Sequence, residues 1–405
     1  MLSILVVSQY YFPEPFRISD ICEELARRGH KVTVLTGQPN YPDGVIYEGY
    51  ESIESVEEHN GVEIIRCKIH PRHTGSFNLF LNYLSFVKSA SRKIKTINDG
   101  FDLIYVYQLS PVTSALPAIR LKKNIGIPIF LYCCDIWPDS VRDSVGEPMS
   151  LKNPIYKLAK WISKYIYERV DRIGVKCNQF ADYLHDVCGI DKEKCCLIYE
   201  HAESSYLAIP EEPKDNGCFD FVFLGNIGSS QHCDYIVRAV EKIRTSKKFK
   251  LHFVGSGSEL KNLQDYVEKK AMTSIVVFHG RYPVSEINRF YEFADCCILT
   301  LSAKTATGLT PPAKLVGYMA ASRPVIAAAV GATSDIIKNS GCGICVNSED
   351  IDGLASAMNY ALDNQDEFRK KGKSGRSYFI NNFTLKKHVD SLEMELNNAF
   401  AGKSC

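Results

Sequence analysis

The sequence predicts an α/β protein of two doubly wound, Rossmann-like domains facing a central cleft, and three observations carry that prediction. Strand-like apolar runs alternate with amphipathic stretches from the start: Ser3–Ser8, then Arg17–Arg28, then Lys31–Leu35. A polar, aperiodic segment with two prolines interrupts the alternation at residues 203–218, and the pattern restarts at Phe219–Leu224. Strands that alternate with helical stretches form parallel sheets, and Pro-bearing polar composition is that of a linker. The domains are expected at 1–203 and 204–382, with a helical stretch at 383–400 packing back on the first.

In the first half, Ile18, Ile21 and Leu25 lie on one face of a helix that Gly29 stops, and His30 reads as its C-terminal cap. Further strands are expected at Val62–Arg66, Leu103–Tyr107, Ile127–Tyr132, Arg172–Lys176 and Cys196–Tyr199. The second half offers Gly225–Gln231 as a loop and Tyr235–Thr245 as a helix. Strands follow at Lys250–Val254, Ile275–His279, Cys296–Leu301 and Val325–Ala329. Ligands of open α/β sheets bind beyond the C-terminal strand ends, so function is sought there.

Composition sets outer limits. The 405 residues are 45% hydrophobic and 23% charged, with a formal net charge of +1. No global field recruits nucleic acid, and no nucleic-acid partner is expected. The 15 Cys include three adjacent pairs within or beside apolar runs, where thiols act as small buried hydrophobes. Cys342 and Cys345 form one isolated CxxC-like pair in a Gly-rich loop, and no metal site is expected. The N-terminus reads as a strand rather than a signal peptide, and no run of about 18 apolar residues is present. A cytoplasmic protein with reduced thiols is the expectation.

The most informative stretch is LTPPAKLVGYMAASRPVI, residues 309–326. Two prolines lead into a helical pattern whose N-terminal amides and positive dipole end suit an anion, and Lys314 adds a full charge. The loop GNIGSSQ, Gly225 to Gln231, lets backbone amides approach a phosphate, although a tight β-to-α turn explains its glycines equally well. Gly255 and Gly257 in VGSGSE permit close packing as readily as ligand approach. The run YCCDIWPDS places Asp135, Trp137 and Asp139 at a strand's C-terminal edge. There Asp135 can orient an acceptor hydroxyl and Trp137 can stack on a sugar, or Asp135 can simply cap a helix. The loop Gln9–Arg17 carries aromatics, Glu14 and Arg17 toward the same edge. Two basic amphipathic runs, 77–97 and 152–164, fit either core-facing helices or an anionic membrane surface.

With these residues in view, the chain resembles the group 1 (family four) retaining glycosyltransferases of GT-B fold, within the bacterial surface-polysaccharide branch of N-acetyl-L-fucosamine and colanic acid type. The matching segments run in family order from YYFPEPFRISDICEELARRGHKVTVLTGQPNYPDG through DIWPDS, FLGNIGSSQ, LHFVGSGSEL and VVFHGRYPVSEINRFYEFADCCIL to PPAKLVGYMAASRPVIAA. The resemblance implies a nucleotide-sugar donor, usually a UDP-sugar, on the second domain and a saccharide or lipid-linked acceptor on the first. It also implies metal-independent, retaining chemistry; the nucleotide sugar is a substrate and no cofactor is involved. Carried onto this chain, Lys314 and Asp135 are catalytic. Gly225, Asn226, Gly228, Gln231, Gly255, Arg281, Leu309, Thr310, Pro312 and Gly317 bind the donor, and Glu14, Arg17 and Trp137 bind the acceptor.

The chain departs from the family pattern at telling places. Leu309 and Gly317 stand where many members carry a Glu-x7-Glu pair, and Asn226 and Gln231 replace the usual Arg and Lys of the diphosphate loop. The hinge reads IYEHAES rather than Ile-Pro-Asn-Gly. These losses motivate a competing class, a non-catalytic partner of a transferase. A third class, a sugar-nucleotide 2-epimerase, would show more cleft carboxylates and histidines.

Overall fold

The computed structural model describes residues 1–52, 56–97, 100–140, 150–303 and 310–402. It divides into two compact units: Met1–Tyr199 with Leu385–Cys405, and Glu200–Thr384.

The first unit is built on eight strands: β1 (Ser3–Val7), β2 (Lys31–Gly37), β3 (Glu57–His59), β4 (Val62–Cys67), β5 (Leu103–Gln108), β6 (Ile129–Cys133), β7 (Arg172–Val175) and β8 (Cys195–Leu197). They lie in the order β3-β4-β2-β1-β5-β6-β7-β8, all parallel except β3 against β4. Near-continuous burial of β1 and β5 follows from helices covering both sheet faces. Helix α1 (Ile18–Arg27) buries Ile18, Ile21, Cys22 and Leu25 on its 3.6-residue stripe.

The C-terminal helix Leu385–Ala401 lays Val389, Leu392 and Leu396 into the same core. Polar ties fix it. Arg28 pairs with Asp390 at 2.9 Å and with Glu393 at 3.0 Å, and Arg172 pairs with Glu395 at 2.7 Å. His30 is not the cap of α1: Arg28 occupies that position. The His30 Nδ1 accepts from the Leu2 amide at 3.2 Å, which leaves Nε2 to donate to Glu393 at 2.9 Å. His30 therefore clasps the terminal helix rather than ending its own.

The second unit holds β9 (Phe219–Leu224), β10 (Phe249–Val254), β11 (Val276–Gly280), β12 (Cys296–Thr300), β13 (Val325–Ala328) and β14 (Gly343–Val346). The order is β11-β10-β9-β12-β13-β14, parallel throughout. Strand β14 runs through the segment expected to be a Gly-rich loop; Cys342 is buried before it and Cys345 lies within it, both free thiols. The segment expected to be a linker is clamped by two arginines. Buried Arg323 donates to the carbonyls of Tyr291 (2.8 Å), Glu211 (2.7 Å) and Pro210 (2.5 Å), and Arg376 donates to those of Ile209 and Leu207. Each guanidinium satisfies carbonyls that a Pro-bearing segment cannot pair within itself.

Candidate active site

In each sheet the strand order reverses at one point, and that point places the candidate residues. In the second unit the chain goes from β9 outward to β10 and β11, then returns to the other side of β9 as β12. The loops after β9 and β12 therefore diverge and leave a crevice at the C-terminal strand ends. The loop after β9 is Gly225–Gln231, and the segment after β12 leads to helix Ala313–Ala320. The two are stitched together: the Ser302 amide donates to Ser230 O at 2.8 Å, and the Thr300 hydroxyl donates to Gln231 O.

Lys314 sits in the first turn of that helix, after Pro312 at the cap. Its residue is half-buried, but its amine is closed off from solvent and has no hydrogen-bond partner among the described residues. The Nζ lies 3.9 Å from the centroid of the Phe223 ring and 3.0 Å from where a Cβ on Gly225 would stand. Burial pushes its ammonium down to about 8, opposed weakly by the Cys233 thiol. An ammonium held over an aromatic face beside a glycine loop suits an anionic ligand.

The loop supplies the rest of an anion seat. The amides of Gly225, Ile227 and Gln231 are spent on backbone carbonyls. Those of Asn226, Gly228, Ser229 and Ser230 have no partner among the described residues. The Asn226 side chain donates to Gln231 at 3.1 Å, so two residues expected to bind the donor brace each other across Gly228. Beside the loop, Gly225, Asn226, Gly255, Ser256, Arg281, Tyr282 and Ile287 line a pocket of roughly 400 Å³. Arg281 is exposed at its rim, while Thr310 and Pro312 are half-buried near the helix start. Leu309 falls outside the described residues.

Two glycines stand in close quarters. Gly255 meets the pocket only as backbone: a Cβ there would stand 1.8 Å from Gly225 O, so the residue exists for close chain approach. Gly317 faces protein, buried with Tyr291 Oη 2.9 Å and Tyr206 3.4 Å from a built Cβ. Aromatic side chains fill the direction in which a carboxylate would have projected.

In the first unit the reversal lies between β1 and β5, so the loops after β1, β5 and β6 gather at one edge. Asp135, two residues past β6, accepts from the Ser110 and Ser140 hydroxyls, the latter at 2.5 Å. Ser110 also accepts the indole N–H of half-buried Trp137 at 3.0 Å. One serine thus locks a carboxylate and an indole in fixed register. Ser110 carried no recognisable signal beyond standing just after a strand. Asp139 is held by the Tyr183 and Tyr156 phenols, as part of the scaffold.

Glu14 is drawn into its own loop. Its carboxylate is 3% exposed and receives the amides of Tyr11 (3.2 Å), Asn40 (2.8 Å) and Tyr41 (2.8 Å). Those bonds tie Glu14 to the fold of its own loop. Burial pushes it up to about 7 against those three hydrogen bonds. Arg17 is half-buried at the residue preceding α1. Among the described residues no group of three or more His, Cys, Asp or Glu side chains could hold a metal ion.

Comparison with known proteins agrees with this architecture. A "Glycosyl transferase 4-like domain" model matches residues 16–200, and a "Glycosyl transferases group 1" model matches residues 218–364. The putative colanic acid biosynthesis glycosyl transferase WcaI of Escherichia coli (strain K12) is 20% identical over 89% of this chain and 92% of its own length. The probable glycosyltransferase WbjE of Pseudomonas aeruginosa is 26% identical over 51% of this chain, a match that spans about half of WbjE (52%). Among solved structures, sucrose-phosphate synthase from Thermosynechococcus elongatus superposes with a TM-score of 0.74 at 19% identity, covering 99% of this chain and all of the other. Anabaena HepE, solved in complex with UDP, gives 0.71 at 13% identity over 98% of this chain and 100% of its own. The two matched domains, in this order on two parallel-sheet units, make the chain a GT-B glycosyltransferase of the group 1, family-four type.

Proposed function

We propose that this glycosyltransferase moves a sugar from a UDP-sugar to a saccharide carried on a polyprenyl diphosphate, with retention and without a metal, in the assembly of a bacterial surface polysaccharide such as capsule, O-antigen or exopolysaccharide. The observation that carries the reading is the buried amine of Lys314, without a hydrogen-bond partner among the described residues, beside the amides of the Gly225–Gln231 loop. A nucleoside diphosphate is an anion suited to that arrangement. The bond broken is from the anomeric carbon to the diphosphate oxygen; the bond formed is from that carbon to the acceptor oxygen. The acceptor proton passes to the departing phosphate, so no separate base is required. Charge grows on the diphosphate as it leaves, and Lys314 with the amides around Gly228 is placed to neutralise it, typically the largest single contribution to such catalysis. On the acceptor side, Asp135 orients the attacking hydroxyl and Trp137 offers a face for the sugar ring. The UDP complexes of HepE and the colanic acid biosynthesis for which WcaI is named support the donor and the pathway class.

Calorimetric titration with UDP, GDP and ADP tests the reading. UDP is expected to bind, and the absence of heat with all three nucleotides would contradict it.

The same reading places the enzyme at a membrane surface, where a polyprenyl-linked acceptor resides. Among the described residues, no helix is long and apolar enough to cross a membrane. Helix Pro154–Arg169 carries two apolar stripes. Tyr156, Ala159, Ser163 and Ile166 face the core, while Ile155 (60% exposed), Leu158 (57%) and Trp161 (64%) face outward among Lys157, Lys160 and Lys164. An outward apolar stripe edged with lysines fits an anionic bilayer interface. Vesicles containing phosphatidylglycerol should capture the protein in flotation, and Ile155→Ser with Trp161→Ser should reduce capture about tenfold. Equal flotation of the double variant would remove this helix from the contact.

A further inference from the structure

We propose that Arg72 seats the diphosphate of a polyprenyl diphosphate-linked acceptor, and that Phe77, Phe80 and Leu84 carry the first isoprene units of its chain. The inference rests on the acceptor reading above and gives it an address in the first unit.

Arg72 is half-buried, yet no carboxylate lies within ion-pair distance of it among the described residues. Its guanidinium lies over the Tyr41 ring at 5.6 Å, and its charge acts on the Tyr10 phenol, whose pKa burial raises and the arginine lowers. For the Tyr83 phenol burial is the larger cause, and it also feels both charges, Arg72 lowering its pKa and Asp135 raising it. Burial raises both phenols, Tyr10 and Tyr83, which keeps them as protonated donors. A planar fork of N–H groups among hydroxyl donors is matched to phosphate oxygens.

The surrounding chain is arranged to hold that cation in place. The Arg72 amide donates to Asn40 Oδ1 at 2.9 Å, and the Asn40 amide is the one Glu14 receives at 2.8 Å. Asn82 braces the same group, donating to His70 O at 2.7 Å and accepting from Gln9 at 2.7 Å. This network gives Glu14 its purpose: it positions the loop that carries Arg72.

Three residues further on, helix Ser76–Lys93 begins at Gly75, with no acidic residue in its first turn. Its core side takes Asn82, Phe86 and Ala90. Phe77 (72% exposed), Phe80 (55%) and Leu84 (49%) form a separate outward stripe at i, i+3 and i+7. Charge and apolar surface therefore follow one another along a few residues, in the order in which a lipid diphosphate presents them. A free phosphate or an acidic sugar accounts for the cation but leaves the stripe unexplained. A polyprenyl diphosphate accounts for both.

The test is titration of farnesyl diphosphate, and separately inorganic diphosphate, into the full chain with UDP at saturation so that the donor seat is occupied. Farnesyl diphosphate should bind the wild type at least tenfold more tightly than inorganic diphosphate does. Arg72→Met should weaken farnesyl diphosphate at least tenfold. Phe77→Ser, Phe80→Ser and Leu84→Ser together should bring its affinity down to that of inorganic diphosphate. UDP affinity, read in the same samples, should be unchanged in both variants. Wild-type affinity retained by Arg72→Met, or equal binding of the two diphosphates by the wild type, would overturn the inference. So would a wild type that binds UDP but not farnesyl diphosphate, which leaves the donor reading standing; loss of UDP binding by the wild type would instead strike that reading.

Discussion

Replacing Lys314 with Met is expected to raise thermal stability while removing most activity. The amine is buried without a hydrogen bond among the described residues, and burial lowers its pKa from 10.5 to about 8, a cost to the charged form on the order of 3 kcal/mol. Methionine keeps the stem, fills the space over Phe223 and leaves no charge to desolvate. Loss of the cation–π contact offsets part of the gain, so the variant should gain about 1–3 kcal/mol at neutral pH. The sign follows from linkage. A lysine with a depressed folded pKa contributes its full stability above its unfolded value of 10.5 and loses it as pH falls through about 8. The advantage of the methionine variant should therefore shrink as pH rises toward 10.5. Without the cation the departing diphosphate loses its main neutralising charge, and kcat/KM should fall by roughly 10²–10³. Thermal melts with and without UDP, beside initial rates, read both effects. A variant that is less stable and equally active would mean the amine is an ordinary structural element.

Gly255→Ala should have the opposite signature, with stability and donor binding lost together. Gly255 has φ +150°, a region that side chains other than glycine's rarely adopt, and its Cβ would stand 1.8 Å from Gly225 O. The obstruction is backbone, so no rotamer relieves it. The amide of Gly255 is also held by Gly280 O at 2.8 Å, which prevents the strand end from sliding away. Relief requires the Gly225 loop to move, and that loop forms one wall beside Lys314. A loss of roughly 3 kcal/mol or more is expected, with a melting temperature lowered by several degrees and UDP affinity reduced at least tenfold. Unchanged melting and binding would show that the two loops do not constrain each other as described.

Much of the fold was legible in the sequence because buried parallel strands are written as unbroken apolar runs. Strands such as Phe219–Leu224 were placed to the residue. Strand β3 escaped because Glu57–His59 is a short, polar edge. Strand β14 escaped because Gly343 and Cys345, beside Gly341 and Cys342, read as loop. Helix Ser76–Lys93 shows the limit of periodicity: its apolar residues at 77, 80 and 84 form a stripe, but the core side is built on Asn82, buried through a polar network. Lys314 could be found because a Pro-Pro break before a helical run is a local signal. Its placement over Phe223 could not, since 91 residues separate the two. Glu14 misled because a carboxylate in a strand-end loop serves a ligand or the loop's own amides with identical local sequence. Ser110 and Arg72 gain meaning only when β5, β6 and helix Ser76–Lys93 are brought to one sheet edge.

The central claim, that the Lys314 ammonium receives the diphosphate, is tested most directly by UDP affinity as a function of pH from 7 to 9.5. Phosphate groups with a second ionisation near ~6 are fully charged over this range, so their own titration contributes little. Wild-type affinity should hold to about 8, where the free amine titrates, and then fall by up to about tenfold per pH unit. The Lys314→Met variant should bind weakly with no such break. Parallel profiles for the two proteins, or a wild-type profile flat across the range, would contradict the account.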